Sequence, residues 1–352
     1  DNNLFASRLL AFTRPFNGVV QNVLTVAIYV LGAGIIMAAA TPDNALYTFS
    51  NMVVYSSYVM YVVSSFILLA HIAMGLPRAL VSARRIKDVI NTEPSVVSGG
   101  RREVPESDVR ISFKDASFAY PDSQAETVSG ITFDVRAGET VAIIGQTGCG
   151  KTSLVNLIPR LFDVTSGSVE VDGVDVREYD LEGLRAKIGF ATQKPVLFSG
   201  TARFNIGYGR AGCSDEEMTE AARIACIDGF LDSREGLDTV IDQHGANLSG
   251  GQRQRMSIAR AVCKRPSIYI FDDTFSALDF KTDAAVRRNL SRVTEGAAVV
   301  IVSQRIGTIA GADRIVVLSD GRVVGCGKHS DLMRTCVLYR EMAMIQEYRE
   351  DA

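Results

Sequence analysis

The sequence predicts an α/β domain preceded by a two-helix membrane segment. Three observations predict it. The first 77 residues contain two uncharged, apolar runs, each long enough to span a bilayer as a helix. An apolar, strand-like run at 139–144 leads directly into a glycine-rich loop and then a helix-forming run. A second apolar run, 267–272, ends on an aspartate. The 352 residues suffice for two domains. A net charge of −3 gives no basic footprint for nucleic acid.

The membrane segment comes first. No Lys, Arg, Asp or Glu lies between Arg14 and Asp43, so Phe16–Ala40 can cross about 30 Å of hydrocarbon. Asn44–Pro77 is the second uncharged stretch, with a helix expected at about 46–76. Thr41, Pro42, Asp43 and Asn44 form a turn cluster between them. Arg8 and Arg14 precede the pair, and Arg78, Arg84, Arg85 and Lys87 follow it. Basic ends and a non-basic turn place both ends in the cytoplasm; the location expected for the whole is a cell membrane, of bacterial inner-membrane type. The other reading is a hairpin buried in a soluble protein. Ser57, Tyr61, Ser64 and His71 recur at helical spacing, beside a stripe of Asn51, Tyr55 and Tyr58. Such a polar face lines a wet path or packs against other helices, and both readings stay open.

Ser82–Asn91 continues as a basic helix. Residues 92–107 read as a linker, with Pro94, Gly99, Gly100 and Pro105 among mixed charges. The expected organisation is therefore a partial membrane domain at 1–91, a linker at 92–107 and an α/β domain at 108–352. The six cysteines stand singly with no C-x-x-C pair and read as reduced, packed thiols. With no initiator Met at Asp1, the sequence reads as a fragment or a processed product.

Chemistry concentrates in three motifs. Gly145, Gln146, Thr147, Gly148, Cys149, Gly150, Lys151 and Thr152 match G-x-x-x-x-G-K-[ST] between a strand and a helix, with Ser153 next. Glycines let backbone N–H groups wrap phosphates, and the following helix points its positive end at them. Lys151 supplies a point charge, and the Thr152 hydroxyl can reach Mg²⁺. Asp272, ending the second apolar strand, can hold Mg²⁺ directly or through water. Leu248, Ser249, Gly250, Gly251 and Gln252 open an amphipathic helix. A serine cap with two glycines is another anion cradle, which one ATP does not need from the same domain. The economical reading is that it closes over ATP held by another domain. An ordinary capped helix fits the local chemistry as well.

Together these elements resemble the ABC transporter ATPase, over essentially all of 108–352. The resemblance implies an α/β P-loop ABC nucleotide-binding domain, with a mixed sheet core and 195–250 as its helical subdomain. It implies that Tyr120 stacks on adenine, that Gln193 touches Mg²⁺ and the membrane domain, and that Asp279 crosses a dimer interface. Residues 76–86 resemble the exit from the sixth membrane helix of an exporter half, which makes the two runs helices five and six. Residues 1–5 resemble the segment just after the second coupling helix. The implied cofactors are ATP and Mg²⁺. The implied partners are a second half-transporter, the lipid bilayer and a small-molecule, lipid or peptide substrate, with no nucleic acid.

Two positions depart from that family pattern. Where it places a glutamate after the Mg²⁺ aspartate, this chain has Asp273, whose carboxylate falls short by up to ~1.5 Å. Where it places a histidine at a later strand end, this chain has Gln304, which cannot take a positive charge. The expectation is a site that binds ATP and hydrolyses it poorly, paired with a different subunit that carries the missing groups. Asp242–Gly245 also differs from the Gly-Glu-Arg-Gly usual before the exporter signature. The alternatives are an active homodimer, a soluble ABC ATPase acting on nucleic acid or ribosomes, and a half that only regulates its partner.

Overall fold

The computed structural model describes residues 2–38, 41–121, 123 and 125–350. The chain divides into two compact units, Asp1–Glu93 and Pro94–Ala352.

The first unit is two helices, α1 (Asn2–Met37) and α2 (Pro42–Ile90). The turn cluster starts α2. Thr41 Oγ1 accepts from the Asn44 amide, Pro42 sits in the first turn, and Asp43 lies where a negative charge favours a helix start. Gly32 lets the helices approach, since a Cβ there would stand 2.2 Å from Met52 Sδ. Most other described side chains of this unit are exposed, large apolar ones included. Pro15–Met37 and α2 each contain a window of mean hydropathy 2.0. The last two positions of the expected first span, 39 and 40, lie outside the described residues. Pro77 does not end the second helix, so the basic run at 82–90 is the same element. On the polar face, Ser57 Oγ donates to the Val53 carbonyl and His71 Nδ1 pairs with the Ile67 carbonyl, each within its own helix.

The second unit is built on sheets. Its strands are β1 (Val109–Phe118), β2 (Val128–Arg136), β3 (Thr140–Gly145), β4 (Ser166–Val171), β5 (Val174–Asp175) and β6 (Ile188–Ala191). Then come β7 (Gly200–Thr201), β8 (Val240–Ile241), β9 (Ile268–Asp272), β10 (Ala298–Val302), β11 (Arg314–Ser319) and β12 (Arg322–Gly327). The helices are α3 (Lys151–Leu157), α4 (Leu181–Ala186), α5 (Ala202–Gly207), α6 (Asp215–Ile224) and α7 (Asp228–Asp232). They continue as α8 (Gly250–Cys263), α9 (Phe280–Val293), α10 (Ile306–Ile309), α11 (His329–Thr335) and α12 (Val337–Glu350).

The main sheet has the order β12-β11-β3-β10-β9-β6, parallel except for β12 at its edge. Its strands alternate between two cores. Ile143, Ile270 and Val300 face α3 and the antiparallel sheet β2-β1-β4-β5. Ala142, Phe271 and Ile301 face the core that holds Met256 and Ile258 of α8 and Tyr339 of α12. Burial on both sides explains why β9 and β10 read as unbroken apolar runs rather than alternating ones. The ribbon β7-β8 and helices α5–α7 make the helical subdomain, and they share the second core with α8.

Residues 98–101 of the expected linker pair with 178–180 in the second unit: the Gly99 amide donates to the Tyr179 carbonyl at 2.7 Å, and Ser98 Oγ to Asp180 at 3.0 Å. Nearby, Asp172 is buried and holds three donors, Arg110 at 3.1 Å, Lys187 at 2.6 Å and the Ser107 amide at 3.0 Å. Its removal leaves Lys187 facing Arg110 without its carboxylate, and Arg110 with only the half-exposed Glu106 as countercharge. Asp172→Ala is expected to destabilise this unit by about 3–5 kcal/mol, read as a lowered urea midpoint with an unchanged slope.

Candidate functional site

The phosphate loop joins β3 to α3, and its shape follows from its glycines. Gly148 and Gly150 have φ of 86° and 96°, a region that disfavours any side chain. At Gly150 a Cβ would also stand 2.6 Å from the Thr127 carbonyl. Gly150 caps α3 without a side-chain bond, so the first amides of that helix point into the loop unsatisfied. Lys151 is buried, and its ammonium folds back onto the loop, donating to the carbonyls of Gly145 and Gln146 at 2.8 and 2.7 Å. Cys149 Sγ lies beside it at 3.6 Å.

The parallel sheet brings the other groups to this loop. β9 carries Asp272 to its end, where Oδ1 accepts from Thr152 Oγ1 at 3.2 Å. Asp273 follows at φ 46°, its Oδ2 accepting from Gln193 Nε2 at 3.3 Å, while its buried Oδ1 has no partner among the described residues. β10 leads to Gln304, whose Oε1 lies 3.5 Å from Thr147 Oγ1. Thr147, Gly148, Gly150, Lys151, Thr152, Ser153, Gln193, Asp272, Asp273 and Gln304 thus line one pocket of about 190 Å³. Tyr120 stands at its margin: its hydroxyl pairs with Ser153 Oγ at 3.0 Å, and its ring packs edge-on against Phe118 and Phe162.

A magnesium-bound triphosphate fits this donor set. Two left-handed glycines shape a backbone cradle, a buried ammonium is held by neutral loop carbonyls, and a hydroxyl and a carboxylate stand together. Asp273 Oδ1, without a partner among the described residues, is a further buried polar atom of a residue that lines the pocket.

The 248–252 motif lies elsewhere in the fold. Ser249 caps α8 and closes a box with Gln252: Ser249 Oγ accepts from the Gln252 amide, and Gln252 Oε1 from the Ser249 amide. Leu248 is buried beneath, whereas Ser249 and Gly250 are exposed. Gly251 is small for a local reason, since a Cβ would meet the Ala277 carbonyl at 3.2 Å. Asp279 caps α9 by accepting from the Thr282 amide at 2.9 Å. None of these residues lines the pocket at Lys151.

Comparison with known proteins agrees with this geometry. Residues 128–276 match the ABC transporter family model. The chain carries an ABC transporter domain. An uncharacterized ABC transporter ATP-binding protein of Mycobacterium bovis is 41% identical over 309 residues, covering 86% of this chain and 53% of that protein. An ATP-dependent lipid A-core flippase of Syntrophus aciditrophicus is 40% identical over 285 residues, covering 80% and 47%. A bacterial Atm1-family ABC exporter solved with ATP bound aligns at TM-score 0.77 and 30% identity, over 95% of this chain and 59% of that one. The chain therefore spans about half the length of the curated relatives it matches.

Within the ABC domain the structure adds groups that the motifs left out. Thr127 and Val302 also line the pocket. Arg305 donates to the carbonyls of Ser276 and Leu278 at 2.7 and 3.1 Å, with its guanidinium over the Phe280 ring. The only signal for Arg305 was its place one residue after Gln304.

Burial holds Asp272 above the ordinary carboxylate range, and the charge of Asp273 adds to the shift. Burial likewise raises Asp273, partly offset by its bond from Gln193. A raised carboxylate value means that the folded chain binds the proton more tightly than the unfolded chain. Stability is then lost as pH rises from the unfolded value through the folded one, and the full cost stands above it. Without nucleotide, Asp273→Asn should melt above the unaltered chain at neutral pH. The gap should close as pH falls to about 4, the unperturbed aspartate value. Melting curves across that range check it, and a gap independent of pH would refute it.

Proposed function

We propose that this chain is the ATP-binding and membrane-spanning part of an ABC exporter half, working in a heterodimer whose site on this chain binds MgATP but hydrolyses it slowly. The observation that carries the reading is the pocket's composition. Every group needed to hold a nucleotide is present, while Asp273 and Gln304 occupy the two positions that face the reaction.

Lys151 and the 145–150 loop bind the phosphates, and Tyr120 receives the base. Thr152, Asp272 and Gln193 would hold Mg²⁺, which when bound neutralises charge on the phosphates. Asp273 has the chemistry to orient a water but a shorter reach than glutamate, and its Oδ2 is engaged by Gln193. Gln304 can hydrogen-bond a phosphate oxygen but adds no charge there. Ser249, Gly250, Gly251, Gln252 and Asp279 lie off this pocket, which supports their use in the site of a second ABC half. Nucleotide-driven closure of two such domains shifts the membrane helices by its preference for the closed state. Hydrolysis on the partner resets them. The exposed apolar surface of α1 and α2 supports a bilayer setting and disfavours a soluble ATPase acting on nucleic acid.

A direct test is turnover by this chain alone in lipid nanodiscs. ATP should bind with the affinity of an intact site, and hydrolysis should be slow. Brisk hydrolysis by the chain paired only with itself would favour an active homodimer and end the asymmetric reading.

A further inference from the structure

Gln304 reaches the pocket from the short loop between β10 and α10, and the backbone of that loop is gripped from a distant element. Gln346, on α12, donates from Nε2 to the Gln304 carbonyl at 2.6 Å. Its Oε1 accepts from the Ile306 amide at 2.7 Å. Both ends of one side-chain amide are therefore committed to residues 42 and 40 positions earlier. The need is local. Helix α10 has four residues, and its cap, Arg305, makes no side-chain capping bond, so the Ile306 amide is a first-turn donor without an intrahelical acceptor. Gln346 meets it. The helix that carries Gln346 is fixed in turn, with Tyr339 and Ala343 in the core and Tyr339 Oη paired with His329 Nδ1 at 2.7 Å. Beyond Gln304, the side chain of Arg305 binds the 276 and 278 carbonyls that precede Asp279.

We propose that Gln346 is a positioning residue of the ATP site. It sets the backbone of 304–306, and through it the place of Gln304 beside Thr147 and the grip of Arg305 on 276–278. The proposal rests on the reading of the pocket as an ATP site, and its physical part can be tested without catalysis. α12 is then a support of the site, as well as a lid on the second core.

The experiment uses the full chain with Gln346→Ala and Gln346→Glu. Glu keeps an acceptor for the Ile306 amide but loses the donor to the Gln304 carbonyl. Hydrogen exchange followed residue by residue should show the Ile306 amide opening at least about tenfold faster in Gln346→Ala, with the amides of 298–302 unchanged and Gln346→Glu largely protected there. Unchanged exchange at 303–308 in Gln346→Ala overturns the grip. Turnover is then measured with Asp273→Glu and Gln304→His in the background. Gln346→Ala should lower kcat about tenfold, with KM for ATP within about twofold, because misplacement by a fraction of an ångström acts on the reacting geometry more than on binding. Partial recovery is expected in Gln346→Glu. Faster exchange with unchanged kcat, or with KM alone altered, reduces Gln346 to a packing role and overturns the proposal. Should that background show no turnover, Asp273 and Gln304 are not what limits the site, and MgATP protection decides. Slowing of exchange at 303–308 by MgATP that is lost in Gln346→Ala upholds the positioning role, and equal slowing in both chains overturns it.

Discussion

Asp273→Glu combined with Gln304→His is expected to raise ATP turnover at the Lys151 site by about 10²-fold over the unaltered chain. The estimate comes from reach and charge. One added methylene moves the carboxylate up to ~1.5 Å further into the pocket, and misplacement of about 1 Å costs on the order of 10²-fold. A histidine beside Thr147 adds a donor that can carry charge where Gln304 offers only a neutral amide. Asp273→Glu alone should recover most of the gain, since Gln304 already can hydrogen-bond a phosphate oxygen. The competing influence is Gln193, whose amide holds Asp273 Oδ2 at 3.3 Å and could retain the longer side chain as well. Single-turnover hydrolysis separates the outcomes. No increase in the double variant, with nucleotide binding intact, would show that these two residues are not what limits the site.

Much of the site was legible because its chemistry is written in consecutive residues. A strand, a glycine-rich loop and a helix at 139–158 can make a phosphate cradle in only one register, and Asp272 is marked by the apolar strand it ends. The structure brings Lys151, Thr152, Asp272, Asp273, Gln193 and Gln304 into one pocket although they span more than a hundred residues. The main sheet was legible for the same reason, since strands buried on both faces leave unbroken apolar runs. Contacts made by single side chains across long separations were not legible. Nothing near Gln346 distinguishes it from a surface glutamine, and its role appears only when α12 lies against 304–306. At Gly251 the local packing was not legible either, since a Cβ there would crowd the Ala277 carbonyl at 3.2 Å. Pro77 removes a backbone donor and crowds the preceding turn of the second helix. In the structure α2 runs through it. The antiparallel sheet carried no motif at all. Its alternation is weakened by register shifts in β1, so the pairing could not be read from hydrophobic spacing.

Lys151→Ala should lower ATP affinity at this chain's site by about 10- to 10²-fold while leaving most turnover of a heterodimer in place. The first part follows from the geometry. The ammonium is buried and bonded within the loop to two carbonyls and the Cys149 sulfur, so it can exchange them for phosphate oxygens without moving its helix. A hydrogen bond to a charged group contributes about 1.5–3 kcal/mol, which is the stated range of affinity. The second part follows from asymmetry. If a partner subunit supplies the reacting groups, emptying the slow site weakens closure but does not remove the site that hydrolyses. The matching lysine change in the partner should abolish turnover instead. Binding of a fluorescent ATP analogue and steady-state hydrolysis, measured on both variants of one purified complex, decide between the two subunits. Loss of all turnover from Lys151→Ala, with the partner variant still active, would reverse the assignment and place the working site on this chain.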